Sequence, residues 1–211
     1  MKVLVLGATG GVGRDITSEL VARGHTVTAA SRAPGVADTP GVTAIALDAT
    51  NRDAIAAVAT GHDAVVNVVG PKFGQDDLAG LTTVANALVA ALRQAEVSRL
   101  VVVGGAGTLE VGPGIRLHTT EQFPAEYKPL AEAHADAYDV YLAADGLDWT
   151  YLTPPPEFMP GERTGTYRTG PGGYLADSEG RSRLSYADMA VAVVDALEQD
   201  SNGGSRIAVA Y

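Results

Sequence analysis

Gly7, Gly10 and Gly13 stand in the spacing G-x-x-G-x-x-G within the opening residues MKVLVLGATGGVG. A glycine triplet carries chemistry when it follows a strand and opens a helix. The first glycine then turns the chain at φ > 0, the second lets the backbone approach a pyrophosphate, and the third lets helix and strand pack closely. The first-turn N–H groups of such a helix have no intrahelical acceptor, and with the helix dipole they bind anions. Gly7, Thr9, Gly10, Gly11, Val12 and Gly13 are therefore expected to hold the phosphates of a dinucleotide.

A second group of residues bears on which dinucleotide. Folds that select NAD place an acidic residue at the end of the second strand, on the ribose diol. This chain has Ala29-Ala30-Ser31-Arg32 there, with no carboxylate. Arg32 offers a planar fork to a 2′-phosphate and Ser31 a hydroxyl, so NADPH is expected to be preferred over NADH. Asp48 and Ala49 end the third strand, beside the expected adenine; Asp48 and Thr50 read equally well as caps of a helix beginning at Asn51. Val69 and Gly70 after the fourth strand, and Gly104 and Gly105 after the fifth, are expected to line the nicotinamide end. His118 and His134 have side chains suited to proton transfer near neutrality. No His, Cys or carboxylate set has metal-ligand spacing.

These residues need a scaffold, and the sequence supplies an alternating one. Lys2 to Leu6 form an apolar run with the length of a buried strand, and Arg14 to Arg23 carry Ile16, Leu20 and Val21 at helical spacing. Further strands are read at Thr26 to Ala30, Val42 to Leu47, Ala64 to Val69, Leu100 to Val103, Trp149 to Leu152 and Ile207 to Tyr211. Helices are read at Asn51 to Ala59, Leu78 to Ala95, Pro129 to Ala144 and Ser185 to Glu198. The last of these opens on a capping box, Ser185 reaching forward and Asp188 back. Alternation of this kind implies α/β architecture: a single-domain, Rossmann-like, doubly wound parallel sheet over residues 1–211, with the ligand crevice at the carboxyl ends of the strands. Residues 105–128 and 154–184 break the rhythm and are rich in Gly, Pro and Thr. Both follow strands, so both emerge at the crevice, and they are expected to build a small substrate-side lobe.

Bulk properties narrow the setting. The chain of 211 residues has no cysteine, which excludes disulfide and thiolate chemistry, and its net charge of −10 argues against nucleic acid or an anionic membrane as partner. No apolar stretch reaches spanning length, and Met1 leads straight into a strand, so a cytoplasmic monomer or homodimer acting on a small-molecule acceptor is the expectation.

GATGGVG, the basic residue after the second strand, LDAT (Leu47 to Thr50) and LDWTYLTPP (Leu147 to Pro155) together resemble the atypical short-chain dehydrogenase/reductases. The nearest group is the NAD(P)H-binding proteins related to biliverdin-IXβ reductase and the NADH-flavin reductases, to which PGERTGTYR (Pro160 to Arg168) and SRLSYADMAVAVVDALE (Ser182 to Glu198) are also similar. The resemblance implies reduction of a flavin-like, quinone-like or aromatic acceptor by NADPH or NADH. Ordinary members of that superfamily carry a Tyr with a Lys four residues on, and a Ser after the fifth strand. Here Tyr127 has Ala131 at that offset, and Gly104 to Gly107 replace the serine. The candidate proton-transfer residues are accordingly His118, Tyr127 and His134. Pro155, Phe158, Met159, Arg163 and Tyr167 are expected to wall the acceptor site, with Arg163 or Arg168 anchoring an anionic substituent. A nucleotide-binding sensor without turnover, and a biosynthetic isomerase or dehydratase on the same fold, are the competing readings.

Overall fold

The computed structural model describes residues 1–33, 39–71, 78–199 and 204–211; Asp76 and Asp77, read from sequence as solvated charges, lie outside them. The strands are β1 (Lys2–Leu6), β2 (Thr26–Ser31), β3 (Val42–Ala46), β4 (Ala64–Asn67), β5 (Arg99–Val103), β6 (Glu110–Gly112), β7 (Ile115–Arg116), β8 (Asp148–Thr153), β9 (Glu157–Met159), β10 (Arg168–Gly170), β11 (Arg183–Ser185) and β12 (Ser205–Ala210). The helices are α1 (Gly11–Ala22), α2 (Arg52–Ala59), α3 (Gly80–Gln94), α4 (Lys128–Leu142) and α5 (Tyr186–Glu198).

Alternation along the strands sorts the core into two layers. In β1, Val3 and Val5 face α1 and α5, packing with Ile16, Leu20, Met189 and Val193. Leu4 and Leu6 face the opposite layer, with Ile55, Leu88, Leu92 and Tyr141. Strands buried on both faces are what a parallel sheet with helices on both sides requires. The main sheet runs β10-β12-β8-β5-β4-β1-β2-β3, parallel throughout except that β10 lies antiparallel to β12. The strand order reverses between β1 and β4, so the crevice of a doubly wound sheet opens at the carboxyl ends of those two strands. The fold is the Rossmann-like arrangement expected from sequence.

The two segments that break the alternation are ordered by short strands that local patterning does not signal. β6 and β7 form a hairpin, and β9 pairs in parallel with β11. The expected substrate-side lobe is therefore built of two small sheets, and β10 within it extends the main one.

Helix ends differ from the sequence reading in informative ways. α1 begins at Gly11, earlier than the apolar spacing suggests, because Gly10 serves as N-cap with extended backbone (φ −67°, ψ 167°). α2 is capped by Asn51, whose side chain accepts from the Ala54 N–H at 3.0 Å; Asp48 instead accepts from Thr50 N–H and Oγ1 at 2.9 and 2.8 Å. Only half of the capping box at α5 forms. Ser185 Oγ accepts from the Asp188 N–H at 2.9 Å, but the Asp188 carboxylate turns away from Ser185. It accepts from Thr164 N–H at 2.9 Å, Thr164 Oγ1 at 2.7 Å, Gly165 N–H at 2.7 Å and the Tyr211 hydroxyl at 2.6 Å. The physical reason is supply: Tyr211 already accepts from the Ser185 N–H at 3.2 Å, while the loop brings Asp188 three donors it otherwise lacks. Burial of Asp188 opposes its charge, yet the bonds from Tyr211, Thr164 and Gly165 prevail and hold its carboxyl below the usual range. The GERTG and LSYADMA segments are thus partners of one another.

Among the described residues no helix is long and apolar enough to cross a membrane.

Candidate functional site

The glycine turn at the carboxyl end of β1 is shaped by close approach. Gly7 adopts φ +86°, and a Cβ there would also lie 2.9 Å from the Val68 carbonyl. A Cβ on Gly13 would lie 2.2 Å from Gly7 O, so α1 can rest on the turn only with glycine at that position. Gly10 meets nothing closer than Gly7 O at 3.4 Å, which leaves its outer side open. The N–H groups of Gly7 and Ala8 are spent on Ala30 O, at 3.0 and 3.2 Å, and fasten the turn to β2. Gly11, Val12 and Gly13 present N–H groups for which the described residues supply no acceptor, no side chain caps the helix, and its first turn contains no acid. Unsatisfied donors on the positive end of a helix dipole fit a pyrophosphate.

The ribose end has the same character. Ser31 is buried and its hydroxyl has no hydrogen-bond partner among the described residues. Arg32 is exposed and, among the described residues, forms no ion pair; its charge helps to hold the Asp48 carboxyl low, after the larger effect of the Thr50 hydrogen bonds. Arg14, one residue past the third glycine, is likewise exposed and unpaired among the described residues. The other arginines all bond to carboxylates or carbonyl oxygens. Among the described residues these are the two guanidinium groups without a carboxylate or carbonyl partner, one in the first turns of α1 and one just after β2, in a chain of net charge −10.

A cavity lies at the carboxyl ends of β4 and β5, lined by Asn67, Val69, Leu81, Val84, Val102, Val103, Gly104, His134, Ala137, Tyr141 and Tyr151. It brings together Val69 and Gly104, both expected at the nicotinamide end, with His134. Asn67, whose facing was open from sequence, points to this side. It donates to the Tyr141 hydroxyl at 3.0 Å and accepts from the Val69 N–H at 3.1 Å, pinning the turn after β4. Burial raises the pKa of Tyr141 and Tyr151, so both phenols stay protonated at neutral pH. Burial pushes His134 down to about 4, so its imidazole is neutral.

The glycines after β5 also have a packing explanation. A Cβ on Gly104 would lie 2.1 Å from the Tyr151 ring, one on Gly105 2.6 Å from the His134 ring, and one on Gly107 2.5 Å from Ala131 Cβ. No serine side chain fits at these positions, which accounts physically for the loss of the superfamily's serine.

The other expected site residues fall in three places. His118 is buried and its Nδ1 bonds Gly107 O at 2.8 Å; it does not line the cavity. Tyr127 is 44% exposed at the start of α4 and does not line it either. Of the three proton-transfer candidates only His134 borders the cavity. Of the expected acceptor wall, Pro155 is buried, Phe158 is half-buried and Met159 is exposed. Arg163 is not presented to the crevice: its guanidinium holds Glu19 of α1 at 2.8 and 2.9 Å. The Tyr167 hydroxyl donates to Asp195 of α5, and Arg168 donates to the Ala176 and Tyr211 carbonyls. Sequence reasoning did not single out Tyr141 and Tyr151 as cavity residues, because tyrosines among small residues read simply as core.

Comparison with known proteins agrees with this geometry. Residues 7–200 match the model of a family described as NAD(P)H-binding. A protein of Burkholderia pseudomallei, provisionally described as exported, is 45% identical and superposes with a TM-score of 0.91, all of each chain being covered. A provisionally assigned epimerase of Bacteroides thetaiotaomicron is 30% identical with a TM-score of 0.90, over all of this chain and 96% of that one. A protein of Streptococcus pneumoniae TIGR4, provisionally assigned as an NADH-flavin reductase, is 34% identical with a TM-score of 0.88, over all of this chain and 99% of that one.

Proposed function

This chain belongs to the NAD(P)H-binding family, and from that premise we propose that it is an NADPH-preferring reductase of conjugated, flavin-, quinone- or aromatic-type small molecules. The observation that carries the reading is the cavity at the carboxyl ends of β4 and β5: its titratable groups are a neutral imidazole and two phenols that burial keeps protonated.

A bound dihydronicotinamide supplies hydride. The chain's own part is to hold and orient. The N–H groups of Gly11 to Gly13 would hold the phosphates, Arg32 would receive the 2′-phosphate, and Asn67 and Gly104 set the turns after β4 and β5 that would border the nicotinamide. Well-oriented reactants gain roughly 7–11 kcal/mol in intramolecular models without any side-chain acid. A simple ketone develops alkoxide charge that needs a strong donor, and no Tyr-Lys pair is present to give one. A conjugated acceptor spreads that charge over its own ring system after hydride transfer and takes the one proton that completes its reduction from solvent. Of the segment after β8, Met159 is the exposed apolar side chain left to wall such a ring, since Arg163 and Tyr167 are committed elsewhere and Phe158 packs on Tyr186.

The test is oxidation of NADPH and of NADH, followed by near-UV absorbance with a panel of flavins, quinones, aromatic ketones and simple ketones. Turnover with the conjugated acceptors and faster use of NADPH support the proposal. Tight nucleotide binding with no turnover across the panel would replace it by the sensor reading. Turnover confined to simple ketones would require a stronger acid than the buried phenols of Tyr141 and Tyr151 provide, and would overturn the proposal.

A further inference from the structure

Gly11 is a glycine that the G-x-x-G-x-x-G spacing does not demand. A Cβ built on it would lie 2.9 Å from Cε2 and 3.1 Å from Cδ2 of Tyr186. Tyr186 is the first residue of α5, half-buried, and its ring lies flush against the first residue of α1. Phe158 backs it from the other side, ring centroids 4.6 Å apart and planes at 65°. The ring's base is clamped. Ser185 Oγ accepts from the Asp188 N–H at 2.9 Å and donates to Glu162 O at 2.9 Å, so the first turn of α5 is tied to the loop that follows β9, the strand carrying Phe158.

We propose that Tyr186 is a binding residue of the dinucleotide site. Its ring covers one flank of the first turn of α1 and excludes water from the N–H groups that hold the pyrophosphate, and Gly11 is the side-chain-free position that admits it. Charge-assisted hydrogen bonds strengthen when the surroundings are dry, because the local dielectric falls. The contribution rests on the nucleotide reading of the glycine turn. It is independent of the 2′-phosphate preference and of the acceptor, because the pyrophosphate is common to NADPH and NADH.

Dissociation constants for both dinucleotides, measured by calorimetry on the full chain without acceptor, test it. Tyr186→Ala is expected to weaken NADPH and NADH by the same factor, roughly fivefold, and to make both affinities more sensitive to salt as the phosphate contacts are exposed. Tyr186→Phe keeps the ring and should keep both affinities within about twofold. Gly11→Ala should weaken both, because its Cβ displaces the ring; combined with Tyr186→Ala it should add nothing further, there being no ring left to displace. Unchanged affinity in Tyr186→Ala overturns the proposal. So does a Tyr186→Phe loss equal to that of Tyr186→Ala, or Gly11→Ala and Tyr186→Ala effects that multiply in the double variant. Should Tyr186→Ala melt below the assay temperature, Tyr186→Leu takes its place in the cycle. Arg32→Ala separates the two readings: if it leaves NADPH untouched, the NADPH preference falls and the Tyr186 assignment stands on its own data.

Discussion

Helix α1 has two surroundings that treat charge in opposite ways. At its first turn, N–H groups, Ser31 Oγ and the guanidinium groups of Arg14 and Arg32 lack protein partners among the described residues. Two to three turns later every charge is engaged. Glu19 is held by Arg163 and by Arg23, and Arg23 also reaches Asp195 at 2.6 Å and Glu198 at 3.0 Å. Asp188, at the start of the neighbouring helix α5, receives hydrogen bonds from Thr164, Gly165 and Tyr211. Polar groups left unsatisfied cost stability, so free N–H groups and guanidinium groups at a helix N-terminus suit a ligand, while saturation marks a joint that holds the fold. The comparison fails if variants at the saturated joint act chiefly on nucleotide affinity, or variants at the open edge chiefly on stability.

The largest expected effect is at the joint. Asp188→Asn keeps the volume but removes the charge and turns part of the acceptor into a donor facing Thr164 and Gly165. Hydrogen bonds to a buried charge are worth more than neutral ones and stranded donors add their desolvation, so a loss of about 2–4 kcal/mol is expected in urea unfolding. The residual folded protein should still favour NADPH over NADH. A variant of unchanged stability with lost nucleotide affinity would move Asp188 from the joint to the site.

At the open edge the expectation inverts. Arg32→Ala should weaken NADPH by roughly 1.5–3 kcal/mol, the worth of a charge-assisted hydrogen bond, and leave NADH alone. Its unfolding free energy should stay within about 0.5 kcal/mol of the unaltered protein, as for other exposed positions with no structural partner. Equal affinities for the two dinucleotides before and after the change would remove Arg32 from the site.

The open edge was legible in the sequence and the joint was not, for a physical reason. The edge is built from one contiguous stretch: a strand, a glycine spacing and a helix, then Ser31 and Arg32 one element later. Each can be read from local pattern and backbone rules, as can β1, β4 and β5 from their apolar runs. The joint is built from pairs far apart in the chain. Arg163 meets Glu19 across 144 positions and Tyr167 meets Asp195 across 28. A lone arginine or tyrosine in a Pro- and Gly-rich segment looks the same whether it awaits a ligand or a distant carboxylate. The strands β9, β10 and β11, three residues each, escaped for the same reason, because their pairing partners supply the order that their own residues do not. The Asp188 side chain shows the limit most clearly: its spacing from Ser185 matches a capping box, and tertiary donors outbid the local one.

A smaller effect is expected from Arg163→Ala. The arginine is exposed, so solvent screens its pairing with Glu19 and the loss of stability at neutral pH should be small. The pH profile is the sharper readout. The hydrogen bonds from Arg163, opposed by burial and aided by Arg23, lower Glu19 from its ordinary 4.5 to about 2. A carboxyl depressed in the folded state binds its proton sooner in the unfolded one. Its stabilisation is therefore complete above pH 4.5 and is lost as the pH falls toward 2. Removing Arg163 should flatten the stability curve across that window, and an unchanged curve would assign the depression to Arg23 alone.

The smallest effect is expected at Tyr127, and it bears on the chemistry. Tyr127 is 44% exposed, lies away from the cavity and has Ala131 where the superfamily's lysine would stand. A side chain that acts as general acid is worth about 10²–10⁴-fold, so Tyr127→Phe should leave kcat with a quinone or flavin within about twofold if it is not one. His134 is the informative contrast, because it borders the cavity with its pKa lowered by burial to about 4 from 6.5. The unfolded chain takes up that proton as the pH falls through 6.5 while the folded one resists until about 4, so His134 costs stability progressively below 6.5 and nothing above it. If the neutral imidazole also orients the acceptor, His134→Ala should raise KM more than it lowers kcat, whereas Tyr127→Phe should move neither. A hundredfold fall in kcat for Tyr127→Phe, with both dinucleotides binding as before, would restore a tyrosine acid at the mouth of α4 and overturn the view that orientation alone drives the reduction.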